Sequence, residues 1–246
     1  MRDRDVLLSL RERILPLIPE SIRPPLRWAF RKTMVSKWVR KQLLDDSSLQ
    51  KCHDYWSNPP LLNKPSAYMG DDDTSEFLLS FVTKHINRTD RILEIGCNMG
   101  RNLNTLYLNG YKNLCGIEIC AEALELLRQT YPNLDRDCQL YNAPVEDVIG
   151  SIPDQEYGAV FTLAVLEHIH TDSEWIFRDM VRIARDSLII IEDETAISWR
   201  TFTRNYKKVF EKLGMEQVEE ARCQSLPGMG GGSVARVLVH RNNIGN

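Results

Sequence analysis

Three groups of residues in this 246-residue chain have the types and spacing for chemistry. The first is Arg91-Ile92-Leu93-Glu94-Ile95-Gly96-Cys97-Asn98-Met99-Gly100-Arg101-Asn102, an apolar run that carries one acid and breaks at a glycine. It reads as a buried strand, a tight turn and the first turn of a helix. The strand spends its backbone groups in a sheet, so the turn beyond it is free to face a ligand. Glycine lets the backbone come close, and the helix start adds unpaired N–H groups and a positive dipole end. The second group is Leu114-Cys115-Gly116-Ile117-Glu118, a strand with an acid at its carboxyl end. A carboxylate there accepts hydrogen bonds from both hydroxyls of a ribose. The third is Glu167-His168, just past the apolar run Tyr157–Leu163. A histidine so placed can take a proton near neutral pH, or the pair can open the next helix and fix its loop by hydrogen bonds.

The elements that position these groups alternate along the chain. Helices are expected from Asp73-Thr74-Ser75-Glu76, a capping box, and over 100–109, 121–130, 171–184 and 205–213. Strands are expected at 91–95, 114–118, 137–141, 157–163 and 187–191, with Met215–Ala221 and Val234–His240 as a closing antiparallel pair. Strand and helix in turn give a parallel sheet with helices on both faces, and ligands then sit beyond the carboxyl ends of the strands. Glu192-Asp193-Glu194 stands at that edge, to hold a polar or cationic substrate or as a solvated strand end. His170 is expected to be exposed.

A nicotinamide-binding fold would carry G-x-G-x-x-G after the first strand, and this chain does not. Glu94-x-Gly96-Cys97-Asn98-x-Gly100 instead resembles motif I of the class I S-adenosylmethionine-dependent methyltransferases. Asn98 stands where that family has its middle glycine, and asparagine tolerates left-handed backbone angles. Ala164-Val165-Leu166-Glu167-His168-Ile169 is similar to the family's continuation after strand four. The resemblance covers roughly residues 70 to 240. It implies a Rossmann-like sheet, mostly parallel with an antiparallel last strand, and S-adenosyl-L-methionine as cofactor. It assigns Glu94, Gly96, Cys97, Asn98, Gly100, Asn102, Glu118, Ile119, Pro144, Val145 and Leu163 to cofactor binding and His168 to catalysis. Glu146 falls beside the adenine, to reach its amino group or to stay solvated. Ala164 occupies the place of a glutamate implicated in metal binding in the ubiquinone-type O-methyltransferases, so no metal is expected.

Residues 45 to 70 read as polar and irregular. By resemblance they fold over the cofactor, with Tyr55, Trp56 and Tyr68 as lid residues or as aromatics packed on the domain edge. Asn58-Pro59-Pro60-Leu61 resembles the N-P-P-aromatic motif of amino-group methyltransferases. Lys51–Ser57 is too polar for the buried strand that this motif follows, and Leu61 replaces the aromatic, so the match is taken as a decoy.

The chain divides into a basic helical arm, residues 1–44, and a methyltransferase domain, residues 45–246. Residues 1–41 hold eleven Lys or Arg against four acids, net +7, leaving −10 on the remainder of a chain of net charge −3. That asymmetry fits an anionic membrane surface, or a cap on the domain or on a second subunit. An acidic body argues against nucleic acid as partner. Six cysteines without metal spacing suit a reducing, cytoplasmic setting. The expected activity is methyl transfer to an oxygen of a small molecule or glycan. Its rivals are a protein or RNA methyltransferase and a cofactor-binding scaffold without turnover.

Overall fold

The computed structural model describes residues 47–70, 72–223 and 225–241. The helical arm expected over residues 1–44 lies outside them. Seven strands form one sheet: β1 (Ile92–Ile95), β2 (Leu114–Glu118), β3 (Gln139–Asn142), β4 (Tyr157–Leu163), β5 (Ala184–Asp193), β8 (Met215–Arg222) and β9 (Ser233–His240). Their order is β3-β2-β1-β4-β5-β9-β8. The first five are mutually parallel, and β9 lies antiparallel to both neighbours. This is the expected mostly parallel sheet with an antiparallel last strand. A second sheet of two short strands, β6 (Ile197–Ser198) and β7 (Thr201–Phe202), was not foreseen.

Alternation along the strands builds two cores. Leu93 and Ile95 face one side of the sheet and pack with Ile176, Phe177 and Met180 of α7 (Ile176–Ile183) and with Tyr206 and Phe210 of α8 (Tyr206–Lys212). Ile92 and Phe161 face the other side. They pack with Leu78 and Val82 of α2 (Asp72–His85), Leu103 and Leu106 of α3 (Arg101–Leu108), and Leu124 and Leu127 of α4 (Ala121–Thr130). β1, β2 and β4 lie inside the sheet with both faces covered, which is why their sequences are mostly apolar, with Glu94 the one acid inside β1.

Local departures from the expected elements have physical reasons. The capping box lies within the first turn of α2, which spans Asp72–His85; Ser75 is buried there and donates to Asn102. The helix ending at Thr130 stops before Pro132, as expected, and a new one follows. Pro132 opens α5 (Pro132–Asp137), where a proline's missing N–H costs nothing, so β3 starts only at Gln139. The stretch after Thr171 is a 3-10 turn, Thr171–Ser173, before α7 proper, and β5 begins at Ala184. The segment expected to be irregular holds α1 (Leu49–Ser57), capped by the Ser48 hydroxyl, which accepts from the Lys51 N–H at 3.2 Å. Its apolar and aromatic positions 49, 52 and 56 follow helical spacing.

Candidate functional site

The carboxyl ends of β3, β2, β1, β4 and β5 open, in that order, onto one cavity of ≈ 520 Å³. That volume is in the range of small-molecule sites. Pro144 and Val145 come from the segment after β3, Glu118 and Ile119 from the end of β2, and Gly96, Cys97, Asn98 and Asn102 from the turn and helix after β1. Leu163 and His168 come from the end of β4 and beyond. Ten of the twelve residues assigned from sequence therefore line one space.

Glu94 and Gly100 do not line it. Glu94 is fully buried one position inside β1. Its Oε1 accepts from Asn102 Nδ2 at 2.7 Å, while its Oε2 has no partner. Burial pushes this carboxyl up to about 8, against the pull of the Asn102 bond. Glu94 thus braces Asn102, which also accepts from Ser75 at 2.8 Å, rather than facing a ligand. Gly100 has φ +76, and a Cβ there would lie 2.4 Å from Leu127 Cδ1, so its requirement is helix packing. Gly96, with φ +74, does face the cavity, but the group nearest a Cβ would be Val165 Cγ2 at 2.4 Å. The turn after β1 packs on the loop after β4.

Asn98 adopts φ +48, the left-handed conformation its type allows. Its backbone N–H donates to Glu118 Oε2 at 2.8 Å, and the Cys120 N–H donates to Glu118 Oε1 at 2.7 Å. The Glu118 carboxylate therefore ties the β1 turn to the end of β2. Each oxygen keeps a lone pair for a further donor. Burial raises its pKa, opposed by those same N–H bonds. The apolar Ile119, Pro144, Val145 and Leu163 complete this part of the wall. An acidic diol acceptor beside a close-approach backbone turn and apolar sides fits a nucleoside-bearing cofactor.

The loop after β4 is held from beneath. Glu192, fully buried in β5, accepts from the backbone N–H of Val165 at 2.9 Å and of Glu167 at 3.2 Å. Glu167 in turn accepts from the Asp193 N–H at 2.5 Å. Asp193 accepts from the N–H groups of Thr195 and Ala196, and Glu194 forms a bidentate pair with Arg236 at 3.0 Å. The three acids are neither a substrate site nor a solvated strand end; they are internal braces. Ala164, in the loop they hold, takes φ +55, which costs a non-glycine residue about 1–2 kcal/mol.

His168 lines the cavity, and its side chain is 15% exposed. Its Nδ1 lies 3.0 Å from the Arg200 carbonyl oxygen. A carbonyl only accepts, so Nδ1 carries the hydrogen and Nε2 keeps a lone pair. Burial pushes the imidazole down to about 4. The ring is therefore neutral near pH 7. His170 is buried rather than exposed, packs edge-on against Phe202, and accepts from the Asp172 N–H at 3.1 Å.

The roof comes from residues that the spacing of motifs did not reveal. Leu49, Cys52, His53 and Trp56 of α1 line the cavity, and their i, i+3, i+4, i+7 spacing was the available signal. His53 Nε2 meets Glu146 Oε1 at 3.2 Å, so Glu146 binds the roof and is not a solvated loop acid, while it also lines the cavity. Trp56 packs on His168 with centroids 4.5 Å apart, and Tyr55 meets Trp199 edge-on at 5.4 Å. Trp56 and Tyr68 line the cavity, whereas Tyr55 does not and packs behind Trp56 at 5.0 Å between ring centroids. A helix, not a strand, precedes Asn58-Pro59-Pro60, and Leu61 is exposed, so the N-P-P likeness carries no site. Arg200, at the tip of the β6–β7 hairpin, had no sequence signal.

Residues 93–191 match a family model described as "Methyltransferase domain". No functionally curated protein matches the chain in sequence. Among solved structures, a Leishmania major S-adenosylmethionine-dependent methyltransferase is similar at TM-score 0.61 and 17% identity, over 77% of this chain and 82% of that one. The magnesium protoporphyrin IX methyltransferase from Synechocystis, solved with bound S-adenosylmethionine, is similar at TM-score 0.58 and 14% identity, over 82% and 96%. The cyclase SpnF is similar at TM-score 0.60 and 13% identity, over 79% and 96%. At these identities the likeness is one of fold.

Proposed function

We propose that the chain is a class I S-adenosylmethionine-dependent methyltransferase whose acceptor is an oxygen of a small molecule or glycan, a reading supported by the methyltransferase-domain match over residues 93–191 and by the fold. The observation that carries this reading is His168, which lines the cavity, is fixed through Nδ1, and has the Nε2 of its neutral imidazole 3.6 Å from Glu167 Oε1. A hydroxyl nucleophile needs a base, whereas a carboxylate or a neutral amine does not.

S-adenosylmethionine, when bound, supplies a methyl group made electrophilic by the sulfonium. The chain's residues do the rest. Glu118 accepts from the ribose hydroxyls, Pro144 and Val145 pack the adenine, Ile119 and Leu163 close the apolar sides, and the Gly96–Asn98 turn brings its backbone close. Nε2 of His168 accepts the hydroxyl proton as the acceptor oxygen forms its bond to carbon and the carbon–sulfur bond breaks. The α1 roof keeps water away from the reacting atoms, so alignment supplies much of the rate. The acidic body disfavours RNA as acceptor.

Isothermal titration with S-adenosylhomocysteine and with NAD tests the cofactor. Heat from the first alone is expected, and heat from NAD alone would overturn the reading. Contact of residues 1–44 with an anionic membrane, or with a second subunit, belongs to the same proposal. Full-length protein is expected to sediment with anionic liposomes at low salt, and a chain starting near Asp45 is not. Sedimentation of neither form, with aggregation of the shorter one, would make the arm a structural cap.

A further inference from the structure

The roof over His168 contains a cation with no ion-pair partner among the described residues, although its charge pulls against the rise of the Glu167 carboxyl. Arg200 lines the cavity from the tip of the β6–β7 hairpin. Its guanidinium carbon lies 5.0 Å from the Tyr55 ring centroid and 5.3 Å from that of Trp56, both on α1. Rings at this distance hold a guanidinium by its charge but do not neutralise it. Among the described residues no carboxylate lies within ion-pair distance of it. The other buried or half-buried arginines nearby are paired: Arg204 with Glu174 at 2.8 Å, Arg236 with Glu194 at 3.0 Å, and Arg182 with Asp179 at 2.6 Å. Neither neighbouring histidine competes for an anion as a cation does. His168 is neutral, and His53 faces Glu146.

Two hydroxyls stand at the base of the same hairpin, and both line the cavity. Ser198 Oγ and Thr201 Oγ1 are hydrogen-bonded to each other, and Ser198 Oγ also accepts from the Arg200 N–H at 3.2 Å. The pair owns two hydroxyl hydrogens and uses one between them, which leaves one to donate. A cation clamped by aromatic faces, beside one unspent hydroxyl donor, is a donor set for an oxyanion.

We propose that Arg200, with Ser198 and Thr201, forms a subsite for an anionic group, a carboxylate or a phosphate, carried by the methyl acceptor. That the anion belongs to a methyl acceptor rests on the methyltransferase reading; the anion preference itself does not. The subsite adjoins His168 through the Arg200 carbonyl, so an acceptor held by its anion presents a hydroxyl elsewhere on the molecule to Nε2. Specificity would then come from the distance between anion and hydroxyl.

The test uses 4-hydroxybenzoate, its neutral amide 4-hydroxybenzamide, and inorganic phosphate as probes. Binding is read from tryptophan fluorescence of the full chain, with and without S-adenosylhomocysteine. The acid is expected to bind at least about tenfold more tightly than the amide. Arg200→Met should abolish that preference, and Arg200→Lys should keep part of it. Both variants should retain S-adenosylhomocysteine affinity and melting temperature. Competition by phosphate, binding more tightly than the acid, would assign the anion to a phosphoryl group; without it the anion is a carboxylate. Equal binding of acid and amide, binding of neither, or a preference that survives Arg200→Met would overturn the proposal. Failure of S-adenosylhomocysteine to bind the wild-type chain, with the acid preference intact, would remove the methyltransferase reading alone.

Discussion

The two ends of the cavity are built in different ways. At the β1–β2 end, backbone groups and one carboxylate do the holding. The turn of residues 96–100 and the end of β2 are joined by Glu118 accepting two backbone N–H groups, all within 25 residues of chain. At the β4–β5 end, residues from three separate segments meet: His53 and Trp56 of α1, His168 after β4, and Arg200 on the hairpin after β5. The first end is fixed by strand geometry and suits a ligand that does not vary. The second is fixed by packing between surface segments, which can change without disturbing the sheet. A constant cofactor and a particular acceptor need that division.

The deepest break of the contrast is expected at Gly96, where the two ends touch. Gly96→Val places a branched side chain at φ +74 with its Cβ 2.4 Å from Val165 Cγ2. The left-handed angle costs about 1–2 kcal/mol and the overpacking about 1–3 kcal/mol. Titration calorimetry should find no cofactor binding, with the helical circular dichroism largely kept. Gly96→Ala combined with Val165→Ala should recover part of the affinity if the contact with Val165 is the cause; no recovery would put the whole requirement on the backbone angle.

His168→Ala probes the acceptor end alone. Turnover should fall roughly a hundredfold or more while S-adenosylhomocysteine affinity stays. The pH profile sharpens this. A base must be deprotonated, and burial holds this imidazole at about 4, so the acid limb of the wild-type rate should lie near pH 4 rather than near the ordinary imidazole value of 6.5. A limb near 6.5 would show the ring to be solvated during turnover. A fall of affinity and melting temperature together with turnover would reduce His168 to a loop support.

Glu118→Ala probes the cofactor end. The loss of a charge-assisted pair of bonds, together about 1.5–3 kcal/mol, should weaken cofactor binding roughly ten- to a hundredfold. An unchanged dissociation constant in a folded variant would remove Glu118 from the ribose. Because the carboxylate also ties two backbone groups, Glu118→Gln should recover less than a lone ribose contact would predict.

The smallest effect is thermal. Burial, with repulsion from Glu167, raises Glu192 from 4.5 to about 8. The folded chain then keeps a proton that the unfolded chain releases, so this group's contribution is full below pH 4.5 and is lost as pH rises to about 8. Glu94 has the same sign. Glu192→Gln should therefore flatten the decline of melting temperature over that interval. An unaltered slope would mean that Glu192 is ionised in the folded state.

The sequence by itself determined the sheet and the cofactor end. Buried strands have continuous apolar runs, the turn after β1 needs left-handed angles at Gly96 and Asn98, and an acid ending β2 follows from the strand's own length. These are local requirements, written in neighbouring residues. Glu94 and Gly100 stand off the cavity lining, a placement hidden there because residue type does not say which face of a strand or helix start turns toward the cavity. Only the tertiary structure decided the acceptor end. Glu192, Asp193 and Glu194 looked like a charged rim, yet Glu192 takes backbone N–H groups of the loop after β4, Asp193 those of Thr195 and Ala196 just beyond β5, and Glu194 the Arg236 guanidinium. His170 and Glu146 went inside for the same reason: partners far along the chain arrived to receive them. α1 was hidden because a helix with one apolar stripe and several charges has low mean hydropathy, and its stripe is buried only by the cavity it covers. Arg200 has no pattern at all. Its position depends on a two-residue hairpin meeting Tyr55 and Trp56 across some 145 residues of chain, a coincidence of packing that no local periodicity encodes.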